Sequence, residues 1–65
     1  MPEDWNDLDS NTRSGVIASL VMIDKLTSEA LDYIRRGSRT SKVRFRLSEI
    51  ESLTRDALGS LGVED

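Results

Sequence analysis

The sequence predicts a single, mainly α-helical domain completed by homodimerisation. It contains one long helix or a helix-turn-helix pair over about 10–36, one short basic strand over about 42–47 and a C-terminal helix over about 48–61. Three observations predict this. Apolar residues recur at helical spacing from Val16 to Ile34. The segment Arg35 to Leu47 carries six of the nine basic residues and no acid, and it ends in strict apolar/basic alternation. The chain has only 65 residues, with no Cys and no His.

A chain this short buries only about 60% of the surface its unfolded form exposes. Below roughly 70–80 residues a single core seldom supplies more than about 3–5 kcal/mol, and disulfides, a metal or a second subunit usually help. Without Cys or His, disulfides and the common zinc sites are excluded. Oligomerisation or a larger partner is the expected source of extra stability. The lack of Cys fits a reducing compartment. Met1-Pro2-Glu3-Asp4 opens acidic where a secretory signal opens basic. The longest apolar run, 15–23, is nine residues and includes Ser19, whereas a membrane span needs about 20. A cytoplasmic protein with no membrane partner is expected.

Residues 1–9 and 62–65 read as loosely ordered termini of one domain, 1–65. Pro2, Glu3 and Asp4 suit one helical turn, with Trp5 and Leu8 folding back over it. An exposed Trp5 would instead mark a partner surface. Asp9 or Ser10 caps the next helix. Its apolar stripe runs Val16, Leu20, Ile23, Ala30 and Ile34, flanked by Ile17, Leu26 and Leu31. Asp24 and Thr27 fall near that stripe. Either the helix is continuous, or it breaks there and Thr27 caps a second helix from Ser28 to Arg36.

Gly37 ends this helix, with Arg35 and Arg36 at the negative end of its dipole. Ser38 to Ser41 is a polar connector. Beyond it Val43, Phe45 and Leu47 alternate with Lys42, Arg44 and Arg46, a strand pattern whose backbone needs a pairing partner. Pairing with the same strand of a second subunit would satisfy it. Ser48 and Glu51 stand three apart as a capping box for the last helix. Ile50, Leu53, Ala57 and Leu61 form its buried stripe, Gly62 with Val63 closes it, and Glu64 and Asp65 trail into solvent.

Charge is blocked along the chain. Residues 1–34 carry seven acids against Arg13 and Lys25, residues 35–46 carry six cations and no acid, and residues 47–65 carry five acids against Arg55. The formal net charge of -3 argues against indiscriminate coating of nucleic acid but allows a narrow basic face. Catalysis is not expected. His and Cys are absent, no glycine-rich phosphate loop occurs, and Ser and Thr have no activating base. Asp4, Asp7 and Asp9 lack the remaining ligands of a calcium loop, and no metal or cofactor is expected.

On a strand, Lys42, Arg44 and Arg46 project side by side, and a two-stranded ribbon fits the major groove, where Arg takes guanine bidentately. Arg35, Arg36 and Arg39 would extend the patch onto phosphates. The competing explanations are an acidic protein partner and a solvated, anti-aggregation edge.

Val43-Arg44-Phe45-Arg46-Leu47-Ser48-Glu49-Ile50-Glu51 resembles the wing and following helix of excisionase-type small winged-helix DNA-binding proteins. That resemblance implies a recognition helix from Ser28 to Arg36 ended by Gly37, with Arg36, Arg39, Arg44 and Arg46 on DNA. The usual Thr-x-x-Glu-Ala-Ala start is absent. The strand and the helix begun by Ser48 also resemble ribbon-helix-helix repressors, which would put Lys42, Arg44 and Arg46 in the major groove; the chain ends before that family's second helix.

Two functions follow as expectations. The first is a small DNA-binding regulator of transcription or recombination directionality, working through Arg35, Arg36, Arg39, Lys42, Arg44 and Arg46. The second is a protein-interaction module or inhibitor, docking through its apolar helix face or strand edge, with Val16, Leu20, Ile23, Leu31, Ile34, Val43 and Phe45 at the dimer or partner interface.

Overall fold

The computed structural model describes residues 4–62. The turn expected from Pro2 and Glu3, the Val63 cap and the Glu64–Asp65 tail lie outside them. A single 3₁₀ turn, Trp5–Asp7, leads into α1, Ser10–Arg35, which is joined to α2, Thr40–Ser60, by a tight turn. The two helices pack against each other as an antiparallel hairpin.

α1 is continuous. Asp9 occupies its N-cap position; its carbonyl accepts the Arg13 N–H at 3.0 Å and its carboxylate accepts the Thr12 hydroxyl. Thr27 does not begin a second helix: its hydroxyl donates to Ile23 O at 2.8 Å, which satisfies it inside the helix. The helix ends where Gly37 adopts φ +68, with Gly37 N–H donating to Ile34 O at 3.1 Å and Ser38 N–H to Tyr33 O at 2.8 Å. These are the two bonds of a Schellman motif. A side chain at that φ costs about 1–2 kcal/mol.

The expected strand 42–47 is not formed, and the described residues contain no strand. α2 begins at Thr40 and absorbs it. A lone strand leaves its ladder unpaired, whereas a helix satisfies its backbone internally, and Lys, Arg and Leu are good helix formers. Helical spacing also reaches back across the segment, since Val43 and Arg46 continue the row Ile50, Leu53, Ala57. The alternation is therefore broken up: Phe45 is left 60% and Leu47 57% exposed. Ser48 lies inside α2 rather than at its cap, so the Ser48/Glu51 box does not start a helix. The wing and the ribbon implied by the two resemblances both needed this strand.

The seam between the helices reads Thr12, Val16, Ser19, Ile23, Leu26, Ala30, Tyr33 on α1 and Val43, Arg46, Ile50, Leu53, Ala57, Leu61 on α2 and its cap. All are buried or half-buried. Steps of three and four alternate along nearly all of it, which is antiparallel coiled-coil packing. Arg46 reaches back to both Glu29 and Tyr33, fixing the register. From that anchor the helix rise brings Leu26 level with Ile50 and Ile23 with Leu53. Among the described residues only Val16, Leu26 and Ala30 are buried, at 4%, 5% and 7% exposure. The core is one row deep.

Candidate interaction surface

Stepping one residue past each seam position defines one flank of each helix. Both helices are right-handed and run in opposite directions, so these flanks lie on the same side of the hairpin. That front side carries Ile17, Leu20, Asp24, Thr27, Leu31 and Ile34 from α1 and Arg44, Leu47, Glu51, Thr54 and Leu58 from α2. Every one of these is exposed, while Arg13, one past Thr12 at the start of the row, is half-buried. Six are large apolar residues, which the two-helix layer has nothing left to cover.

The back side, one residue before each seam position, is mainly polar: Lys25, Glu29 and Asp32 face Lys42, Glu49, Ser52 and Asp56, with Ala18, Met22 and Phe45 as the apolar exceptions. The contacts of Arg46 confirm the assignment of sides. Its Nη1 lies 3.2 Å from Glu49 Oε1 and its Nη2 donates to Tyr33 Oη at 3.3 Å. Its Nε sits 3.0 Å from Glu29 Oε1, an ion pair whose N–H points off the oxygen and so makes no hydrogen bond. Loss of water lowers the Arg46 pKa, but Tyr33, Glu29 and Glu49 outweigh it and the net direction is upward. The guanidinium stays charged.

The six sequence-selected cations gather at the turn end of the hairpin but do not form one row. On a helix, Lys42 and Arg46 share a side and Arg44 projects to the opposite one. Arg46 is engaged with Glu29, Glu49 and Tyr33, and Arg35 lies 3.8 Å from Asp32. Arg36 and Lys42 stand over the Tyr33 ring at 5.5 and 5.4 Å, with Arg46 at 5.6 Å, a shared cation–π platform. Arg39 and Arg44 are exposed and make no ion pair among the described residues.

Of the residues selected as an interface, Leu20, Leu31 and Ile34 are exposed on the front. Val16, Ile23 and Val43 belong to the intramolecular seam, and Phe45 is exposed on the back. Ile17, Leu47 and Leu58 belong to the front surface and were not selected. The signal for the first was present, because 17, 20, 24, 27, 31, 34 repeats the seam's own spacing one residue along. Trp5 is exposed beside the start of α1.

Because Arg46 sits half-buried in the seam, where the ion pairs' gain is offset by the loss of water around the charge, its guanidinium matters less than its stem. Arg46→Met keeps the seam filled, and its urea midpoint should stay close to wild type. Arg46→Ala loses the packing of the stem and should shift the midpoint visibly further. An equal shift for the two would mean the ion pairs dominate.

Among the described residues no group of acids is placed to hold a metal ion, and no helix is long and apolar enough to cross a membrane. Comparison with known proteins found no match to a family model, to a curated protein or to a solved structure.

Proposed function

We propose that this protein is a non-enzymatic helical interaction module whose working surface is the front of the hairpin, acting in a reducing, cytoplasmic setting. One observation carries the reading. Ile17, Leu20, Leu31, Ile34, Leu47 and Leu58 are exposed together on one side of a hairpin whose other side is mainly polar. Scattered exposed apolar residues need no explanation, but here they gather as two clusters, Ile17, Leu20 and Leu58 toward the open end and Leu31, Ile34 and Leu47 toward the turn. The clusters lie on either side of the polar band Asp24, Thr27, Glu51 and Thr54, and grouped exposed apolar surface of this kind marks a binding surface. At concentrations where the chain is single, the front should take up a hydrophobic dye such as ANS. Leu20→Asp/Leu31→Asp should lose that uptake while keeping its helical circular dichroism. A dilute wild type that binds no dye would defeat the reading.

A second reading, DNA binding, keeps support from the basic turn, where Arg36, Arg39, Lys42 and Arg44 are exposed. In this geometry the cations suit phosphates rather than a row of base edges. Anisotropy of a labelled duplex should then show binding that weakens steeply with salt and is reduced by Arg39→Ala/Arg44→Ala. No binding at low salt would remove this reading.

A further inference from the structure

We propose that the occupant of the front face is a second copy of this chain, its α1 laid antiparallel on the first in a two-fold four-helix assembly. This rests on the interaction reading above and names its partner. Three observations support it.

The first is the spacing. The front row of α1, 17, 20, 24, 27, 31, 34, steps three, four, three, four, three, so it reads the same in both directions. A two-fold axis between Lys25 and Leu26 therefore sets Ile17 against the mate's Ile34, and Leu20 against the mate's Leu31. An isologous interface requires such self-complementarity.

The second is where the polar residues fall. Asp24 and Thr27 interrupt the row near its centre, and the antiparallel two-fold sets each Asp24 against the mate's Thr27, whose hydroxyl would turn from Ile23 O to donate to the carboxylate. A parallel arrangement would put Asp24 on Asp24. Polar residues at such positions select register and orientation at a cost in stability. On the α2 side Glu51 comes near the axis and so faces the mate's Glu51, a like-charge approach that opposes the assembly and is only partly offset by Arg55 of the same chain, 3.7 Å from the carboxylate.

The third is area. The chain exposes 5136 Å², whereas a compact monomer of 7.3 kDa exposes about 4,200 Å². The surplus, about 900 Å², is of the size of the roughly 800 Å² each partner buries in a standard stable interface, with part of it supplied off the front by Trp5, Val21, Met22 and Phe45. The radius of gyration agrees, at 14.4 Å against about 11 Å for a compact domain of this length. The hairpin is 15 Å in its thinnest direction, a single layer of helices, and a second layer closes a four-helix core.

Sedimentation equilibrium with a charge exchange tests this. Wild type should show the mass of two chains. Leu20→Glu and Leu31→Lys should each weaken association by more than about 100-fold, since each buries an unpaired charge. The two substitutions combined should restore the two-chain mass, because each new carboxylate then meets the mate's new ammonium; within one α1 they stand eleven residues apart and do not meet. This rescue separates the proposal from simple unfolding of the single variants. A combined variant that stays single overturns the antiparallel register. A wild type that is single at high concentration overturns the second copy: if its front binds ANS the interaction reading survives with another partner, and if it binds none both fail.

Discussion

Leu26→Ala is expected to be the most damaging conservative truncation in the chain. Leu26 is 5% exposed, at the middle of a seam with only Val16 and Ala30 as buried companions. A buried Leu→Ala change costs about 2–5 kcal/mol, and a core in a chain this short seldom supplies more than about 3–5 kcal/mol. The variant should therefore be largely unfolded in dilute solution at room temperature, seen as loss of helical circular dichroism and of a cooperative urea transition. Leu20→Ala, on the exposed front of the same helix, should leave the dilute chain folded. Equal losses for the two would mean that the seam is not where the hairpin's stability lies.

Asp24→Leu should act in the opposite direction. In the antiparallel assembly Asp24 faces the mate's Thr27 near the axis, so the substitution adds two buried leucines per dimer. At about 1.5 kcal/mol for each, the gain is about 3 kcal/mol, or more than 100-fold in dissociation constant, measurable by dilution in the ultracentrifuge. Orientation should loosen with it, because the residue that penalises the parallel arrangement has gone. Unchanged or weaker association would show that Asp24 does not lie in the interface.

The helical character of the chain, the Gly37 stop and the possibility of a single long helix were legible from residue types and spacing alone. Of the α1 stripe Val16, Ile23 and Ala30 were legible too, whereas Leu20 and Ile34 are exposed and Leu26, expected at its flank, is buried. Asp24 and Thr27 made a break equally plausible because a helix in a thin hairpin has two apolar rows, not one. The intramolecular seam takes Ile23 and Leu26, and the neighbouring front row holds Asp24 and Thr27. Read as one wide stripe, the two rows put polar residues in the core. Read as two, they put them on an outer surface where a polar centre has a use.

The strand over 42–47 was misread for a related reason. Six residues of alternation are a local pattern, and Val43 with Arg46 belonged to a longer helical row reaching Leu61. Arg46 concealed this by occupying a seam position as a charged residue, which is tolerable only because Glu29, Glu49 and Tyr33 surround it in the folded hairpin. Those partners come from both helices, and Glu29 and Tyr33 lie far from Arg46 along the chain. The basic cluster, expected along a strand face, gathers at the turn end of the molecule. Its arrangement around a turn, rather than along a strand face, shifts the balance of support from groove reading to the apolar front.

The most direct test of the antiparallel front-to-front assembly uses the absence of native cysteine. Asp24→Cys and Thr27→Cys are prepared separately, mixed and mildly oxidised. The assembly predicts that the mixture forms the covalent pair joining one variant to the other in clear excess over either self-linked pair, since position 24 faces the mate's 27. Self-linking of Asp24→Cys as efficient as the mixed product, or no covalent pair at all, would contradict it.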